Sequence, residues 1–278
     1  MYQKAPITDR VKRIREKCRN TKPSLDISRY RLVTEFYMAN PQLTGILKRA
    51  KNLRNLFENL PVVINEDELI VGWQGKKYRS SALYPEVSWK WFMDELRINY
   101  IRTRSVDPYE IDEEDEKYLL ETGDFWLKNN MSAISDEYLP RPLQDKLDQS
   151  GVIFFNKSDN AVAPVGHFVA NFWTATQKGF GAIAQEARDK MEYMEEHGIF
   201  GEDVQKYHFY RAVEIVSEGI IIWSKRYAAE AKRQADECAD PARKAELLEM
   251  ADTLDWIMEH PCRNFHDALQ CIYLYQLA

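Results

Sequence analysis

The stretch "EDVQKYHFYRAVEIVSEGIIIWSKRYAAEAKRQADECAD", residues 202–240, is a long uninterrupted helical pattern near the end of the chain. Apolar side chains recur along it at the spacing of one helix face. The members of this stripe are Val204, Val213, Val216, Ile220, Trp223 and Tyr227. Pro241 ends the pattern. We therefore expect a long helix whose broad apolar stripe organises a helical core.

Helical patterns of the same kind lie on both sides of this stretch. Thr8 is placed to cap the first of them, and Gly198 is placed to end the one that precedes residue 202. The last pattern is still amphipathic at Ala278, which predicts that the chain ends inside a helix. The expected helices span residues 7–20, 25–40, 42–60, 84–104, 112–130, 171–198, 202–240, 242–260 and 263–278.

Two segments lack the helical period. Residues 62–75, "VVINEDELIVGWQG", show two short apolar runs around a polar turn, which favours a hairpin or a buried strand. Residues 131–166 are interrupted by prolines and indicate loops with one short helix. The sequence thus predicts a mainly α fold, as one unit over residues 1–278, with short strands near 68–71 and 152–155.

Composition narrows the class of protein. The 278 residues carry a net charge of −6, and no segment gathers the Lys and Arg that nucleic-acid binding needs. The longest strongly apolar run, "GIIIW", is far shorter than the roughly 20 residues of a membrane span. The first residues do not resemble a secretory signal, so we expect a cytoplasmic protein. The cysteines, Cys18, Cys238, Cys262 and Cys271, lack zinc-site spacing and are expected to be reduced thiols rather than metal ligands.

Five sequence blocks carry the functional signal, since dinucleotide, P-loop, nucleophile-elbow and zinc-protease motifs are all missing. In order, they are "VVINEDELIVG" (62–72), "ALYPEVS" (82–88), "GHFVANFWTATQKGFGAIAQEA" (166–187), "FYRAVEIVSEGIIIWSKRYAAEA" (209–231) and "HPCRNFHDALQ" (260–270). Together they resemble the N-terminal part of glycyl radical enzymes, the pyruvate formate-lyase-like family. The nearer branch contains glycerol and propanediol dehydratases, choline trimethylamine-lyase and hydroxyproline dehydratase.

The resemblance implies the helical N-terminal part of a ten-stranded α/β barrel. In that family one finger loop carries a cysteine, in a Cys-x-Glu motif, that becomes a thiyl radical and abstracts a hydrogen atom from the substrate. A second loop stores the radical on a glycine within an Arg-Val-x-Gly-aromatic motif. A radical-SAM activase installs the radical, so the enzyme itself needs no other bound cofactor, and the complete enzyme is expected to be a homodimer.

Neither radical motif is present in this chain. No cysteine is followed by x-Glu, and no glycine stands in the Arg-Val-x-Gly pattern. The resemblance therefore implies a PFL domain that is truncated before the radical cysteine and glycine loops. We expect the chain alone to be inactive, and no catalytic residue is assigned within it.

The segment "APVGHFVANFW", residues 163–173, holds the candidate substrate-binding residues. In the dehydratase branch this block usually reads Gly-His-x-x-Pro-Asp-Tyr, and its histidine binds a substrate hydroxyl. The resemblance carries that role onto His167 and, secondarily, onto Asn171. From the residues alone, His167 could equally be a packed histidine at a helix start, and Asn171 could serve the helix start rather than a ligand. The other four histidines are interpreted as structural.

The function implied by the resemblance is that of an anaerobic radical dehydratase or carbon–heteroatom lyase acting on a small hydroxylated substrate. Two alternatives stay open at the level of sequence. One is acyl transfer of the formate acetyltransferase type. The other is a non-catalytic helical interaction module that retains the N-terminal half of the family. The leaving group is not predicted, because water, amines, sulfite and carboxylate all occur in this role within the family.

Overall fold

The computed structural model describes residues 6–73, 75–150 and 169–278, and only the backbone of residues 147–150. These residues are mainly helical, as expected. The helices are α1 (Asp9–Asn20), α2 (Ser28–Ala39), α3 (Gly45–Asn59), α4 (Lys90–Arg97), α5 (Tyr100–Thr103), α6 (Glu113–Asn129), α7 (Met131–Glu137), α8 (Arg141–Ser150), α9 (Phe172–His197), α10 (Asp203–Glu237), α11 (Pro241–Trp256) and α12 (Phe265–Leu277). The strands are β1 (Ser24–Asp26) and β2 (Ser80–Ala82).

The chain divides into two compact units. The first unit comprises Met1–Lys17, Arg31–Lys76 and Ala170–Ala278, and the second comprises Cys18–Tyr30 and Lys77–Val169. The first unit contains α3 and α9 to α12, while the second contains both strands and α4 to α8.

Helix α10 is the centre of the first unit, because α3, α9 and α11 all pack against it. Its stripe is buried at Ile220, Trp223 and Tyr227, as predicted, and Trp223 stacks on Phe57 with ring centroids 5.3 Å apart. The stripe does not extend to the start of the helix, since Val204 is exposed. The burial of such aromatic and aliphatic side chains stabilises a fold by about 1.5–3 kcal/mol each.

Gly219 lets α3 approach α10 closely. A Cβ atom at this position would lie 2.9 Å from the ring of Phe57 and 3.2 Å from the Cα atom of Arg54. The glycine lowers the intrinsic helix propensity by about 1 kcal/mol relative to alanine. Packing against α3 explains why the central helix nevertheless carries it.

The buried segment 62–73 corrects the prediction of a strand near residues 68–71. Among the described residues of this segment there is no strand. Instead, the backbone N–H of Val71 donates to Oε1 of Gln270 at 2.8 Å, and Nε2 of Gln270 donates to the Val71 carbonyl at 2.7 Å. Three further side chains bind backbone groups nearby: Gln234 at Ile64, Arg243 at Asn65 and Glu68, and Tyr227 at Trp73.

The prediction failed because the apolar pattern was interpreted as a sign of backbone pairing. The pattern does mark burial, since Val71 is fully buried and Ile64 nearly so. Buried backbone groups need hydrogen-bond partners, but side chains can supply them in place of a neighbouring strand. Here helices α10, α11 and α12 supply those side chains.

In the second unit, β1 and β2 form a parallel pair in which Ser24 is opposite Ser80. Its core is aromatic. Tyr30 stacks on Trp89 with ring centroids 5.0 Å apart, and the ring of Phe92 lies 4.6 Å from the ring of Trp89. Gly123 of α6 makes room for this core, because a Cβ atom there would clash with the side chain of Met93.

Two further predictions about the second unit need correction. Helix α4 begins at Lys90 rather than near Pro85, because the carbonyls of Glu86 and Val87 accept hydrogen bonds from the first residues of α7. Residues 131–150 form two helices, α7 and α8, where one short helix was expected. The strand predicted near 152–155 lies outside the described residues.

No helix in the described ranges combines the length and the apolar character that a membrane crossing requires.

Candidate functional site

Asn171 is the candidate substrate-binding residue that falls within the described ranges, and it stands at the N-terminus of α9. Its Oδ1 atom accepts a hydrogen bond from the backbone N–H of Thr174 at 3.1 Å, which makes it the N-cap of the helix. The cap occupies the side-chain oxygen, so the amide Nδ2 group is the donor that Asn171 can offer to a ligand. His167 lies outside the described residues.

A cavity of about 460 Å³ opens beside Asn171 in the first unit. Its walls come from α3, α9, α10 and α12, and most of the side chains that line them are apolar. Besides Asn171, the polar side chains that line it are Arg49, Thr174, Ser217 and Tyr275. A mostly apolar cleft with a few polar groups is the usual form of a small-molecule site.

The polar groups of this cavity differ in what they can bind. Arg49 is exposed at the wall formed by α3 and can meet an anionic group. Burial raises the pKa of Tyr275, so its hydroxyl stays neutral at pH 7 and can donate or accept a hydrogen bond. The rings of Phe172 and Phe180 meet the Tyr275 ring edge-on, at 5.8 Å and 5.2 Å between centroids.

Helix α9 is broken close to the cavity. Gly179 has φ 75° and ψ 160°, a conformation that is open essentially to glycine alone. The break frees backbone groups that pair with the loop between α11 and α12. The N–H of Phe180 donates to the Met258 carbonyl at 2.7 Å, and the N–H of Gly181 donates to the Glu259 carbonyl at 3.1 Å.

The same loop also binds α9 on the N-terminal side of Gly179. The N–H of Cys262 donates to the carbonyl of Thr176 at 2.9 Å. We call residues 258–262 the clamp segment, because they bind α9 both before and after Gly179. Residues 171–198 were predicted to form one continuous helix, so this break was not expected. The available signal was the pair of glycines in "KGFGA", since glycine within a helical pattern often marks a close backbone approach.

An ion-pair network joins three of the helices that line the cavity. Glu218 of α10 binds Arg54 of α3 and Arg188 of α9, both at 2.6 Å. Burial alone would raise the pKa of Glu218, but hydrogen bonds from Arg188 and Arg54 outweigh it, and the pKa lies below its ordinary value. Arg188 also binds the buried Glu214 at 2.7 Å. This network ties α3 and α9 to α10.

Across the described residues, no three His, Cys, Asp or Glu side chains gather in an arrangement that could hold a metal ion. All four cysteines are free thiols, and only Cys271 is fully buried. Cys262 belongs to the clamp segment and packs against the same core as Cys271.

Comparison with known proteins gives a consistent result over nearly the whole chain. The family model described as pyruvate formate lyase-like matches residues 5–278. The chain is similar to the isethionate sulfite-lyase of Bilophila wadsworthia, with 28% identity over 274 residues, which cover 96% of this chain and 33% of that protein. The chain thus spans about a third of the length of the curated relatives it matches.

Solved structures show the same likeness. The glycerol-bound B12-independent glycerol dehydratase from Clostridium butyricum superposes with a TM-score of 0.87 at 28% identity, covering 98% of this chain and 34% of that one. A glycyl radical enzyme from Archaeoglobus fulgidus gives a TM-score of 0.86 at 27% identity, covering 96% of this chain and 33% of its own. The resemblance inferred from the five sequence blocks is confirmed: the chain belongs to the pyruvate formate lyase-like family of glycyl radical enzymes.

Proposed function

We propose that this chain is the N-terminal portion of an anaerobic glycyl radical lyase, a dehydratase or carbon–heteroatom lyase that acts on a small hydroxylated substrate. The match of the family model to residues 5–278 carries the proposal. Support comes from relatives named as a sulfite-lyase and a glycerol dehydratase. The complete enzyme is proposed to be a cytoplasmic homodimer.

The proposed division of labour follows from what the chain contains. The radical cysteine and glycine belong to motifs that are absent from these residues, and a radical-SAM activase would generate the glycyl radical. This portion would instead contribute to substrate binding through His167 and Asn171. Histidine suits the task because it can hold a hydroxyl and supply a proton to a leaving group. Asn171 would add its amide Nδ2 group at the mouth of the cavity.

The test is to express the complete reading frame that contains this chain, together with a radical-SAM activase, under anaerobic conditions. We expect the doublet signal of a glycyl radical in electron paramagnetic resonance. Turnover is then assayed with three substrates that differ in the leaving group. Glycerol would lose water, choline an amine and isethionate sulfite. A reading frame without either radical motif, or a complete protein that never forms the doublet, would favour the non-catalytic interaction module. Formation of formate and acetyl-CoA from pyruvate and CoA would favour acyl transfer.

Substitution of His167 tests its role in the complete enzyme. We expect His167→Ala to lower turnover by on the order of 10²–10⁴, the usual contribution of one positioned acid–base group. Both kcat and KM should respond, because a hydrogen bond to the reacting hydroxyl strengthens as the leaving group departs. The yield of glycyl radical should stay near that of the wild type.

The matched control is His208→Ala, which removes an exposed histidine of α10. This variant should keep both the turnover and the melting temperature of the wild type. If His167→Ala keeps its rate but melts several degrees lower, the histidine only packs at a helix start, and the proposed role in substrate binding is wrong.

A further inference from the structure

The break in α9 divides the helix into two arms of unequal length. The first arm, residues 172–178, begins at the N-cap Asn171 and borders the cavity at Thr174. The second arm runs from Phe180 to His197 and packs against α10. The direction of the first arm relative to the second is set at Gly179, where the backbone leaves the helical conformation.

The clamp segment fixes this direction through backbone hydrogen bonds. It accepts hydrogen bonds from the start of the second arm and donates one to the end of the first, so both arms are tied to one loop. The approach is too close for any side chain. A Cβ atom on Gly179 would lie 2.5 Å from the Glu259 carbonyl oxygen, and one on Gly181 would lie 2.6 Å from the same atom.

The clamp segment is itself held in place. The indole N–H of Trp256 donates to the Pro261 carbonyl at 2.8 Å, and Glu259 forms an ion pair with Lys225 of α10. Tyr275 of α12 contacts one phenylalanine from each arm. The first arm therefore rests on a support that is anchored in the core of the first unit.

We propose that Gly179 and Gly181 are positioning residues for substrate binding: the break and the clamp segment together aim the first arm, and so place Asn171 at the cavity. This proposal rests on the proposed function, because it treats the N-terminal end of α9 as part of the substrate site. The two glycines touch no ligand and act through Asn171. Their role explains why a pattern that otherwise favours one straight helix carries two glycines in three residues.

The two glycines can be tested separately because their backbones differ. Gly181 lacks a positive φ, so Gly181→Ala adds a helix-favouring residue, and its only cost is that the new Cβ atom forces Glu259 of the clamp segment away from α9. Gly179→Ala adds backbone strain at φ 75° to the same clash. In the complete enzyme we expect each variant to lower kcat/KM by about 10- to 100-fold, the effect of displacing a binding group by about an ångström. The glycyl radical yield should not change.

A control must separate positioning from loss of stability. Leu247→Ala removes a buried side chain of α11 and should lower the melting temperature at least as much as Gly181→Ala does. It leaves the two glycines and the clamp segment in place. We expect Leu247→Ala to keep the kcat/KM of the wild type with glycerol, choline or isethionate, whichever the wild type converts.

Hydrogen exchange provides a second readout that does not need activity. In the 278-residue chain we expect the amides of residues 172–178 to exchange about tenfold faster in Gly181→Ala than in the wild type, because the first arm loses its support. The amides of residues 241–256 should be unaffected in Gly181→Ala and should instead respond to Leu247→Ala.

The outcomes are distinct. Lower kcat/KM and faster exchange of the first arm in Gly181→Ala, with neither in Leu247→Ala, support the proposal. Wild-type kcat/KM in both glycine variants overturns it, even if they melt earlier. If Gly179→Ala does not fold, Gly181→Ala alone decides. If the wild-type enzyme forms no glycyl radical, the proposed function is wrong, and so is the role of the two glycines in substrate binding. The exchange data still show whether the clamp segment holds the first arm.

Discussion

At the scale of single residues, Asn171 combines two roles that substitutions can separate. Asn171→Ala removes the N-cap of α9, and we expect the free energy of unfolding to fall by about 0.5–2 kcal/mol. Asn171→Asp keeps an oxygen that can accept from Thr174, so its stability should match that of the wild type. It lacks the Nδ2 donor, however, and in the complete enzyme it should bind substrate less tightly.

Urea unfolding of the chain and the KM of the complete enzyme check these expectations. Equal stability of Asn171→Ala and the wild type would show that the cap contributes nothing. An unchanged KM in Asn171→Asp would confine Asn171 to the cap and remove it from the substrate site.

Gln270 lies in one of the five sequence blocks, but the sequence alone assigned it no role. It is the last residue of block 260–270, and in the structure it is the hydrogen-bond partner of both backbone groups of Val71. Gln270→Leu keeps the volume but leaves a buried N–H and a buried carbonyl without this partner. We expect a loss of about 1–3 kcal/mol for each group in the free energy of unfolding. The control Gln205→Leu, at an exposed position of α10, should change stability by less than about 0.5 kcal/mol.

At the scale of elements, the ion pairs of Glu218 make the packing of three helices depend on pH. The folded-state pKa of Glu218 lies below its ordinary value. Its stabilising contribution is therefore fully present above the unfolded-state pKa and is lost as the pH falls through the folded-state pKa. We expect Glu218→Gln to cost about 0.5–1 kcal/mol at pH 7, as is usual for partly exposed pairs, and nothing once the pH is below both pKa values.

The measurement is urea unfolding of the wild type and Glu218→Gln from pH 7 to pH 2.5. Glu249→Gln is the control, because Glu249 is exposed on α11 and forms no ion pair among the described residues. A stability difference between wild type and Glu218→Gln that stays constant down to the lowest pH would contradict the role of the network.

The elements also show what the sequence can and cannot predict. The central helix was predicted from its periodicity, because that signal is local, and it ends at Glu237, shortly before the proline that marked its expected end. The strand near residues 68–71 was wrong because the partner of Val71 is a side chain about 200 residues away. The glycines of "KGFGA" were a local sign of the break at Gly179, but its backbone partners lie in the clamp segment, which is distant in sequence and could not be identified from the local pattern.

The sequence blocks succeeded where local patterns failed, and the structure shows why. Block 260–270 supplies Gln270 to block 62–72, and its Cys262 binds Thr176 of block 166–187. These blocks are thus the surfaces at which distant parts of the first unit recognise one another. A resemblance spread over several such blocks reports a shared fold, whereas His167 and Asn171 were placed by analogy to one block only.

At the scale of the whole molecule, we predict that the 278-residue chain alone forms no glycyl radical and catalyses no lyase reaction. Its sequence contains no Arg-Val-x-Gly-aromatic motif to hold the spin and no Cys-x-Glu motif to reach the substrate. Incubation with the activase should give no doublet in electron paramagnetic resonance, while the complete reading frame, treated in parallel, should give one. A doublet from the chain alone would show that another residue can store the radical.

The side chains that bind segment 62–73 affect how the protein folds during its synthesis on the ribosome. Their hydrogen bonds link residues separated by 154, 170, 175 and 199 positions. At about 5–20 residues per second, the segment waits roughly 10–40 s for its last partner to be synthesised. During that time "VVINEDELIVG" is a largely apolar stretch without a place to bury itself. The yield of this unit in a cell should therefore depend on chaperones during synthesis as well as on the stability of the finished fold.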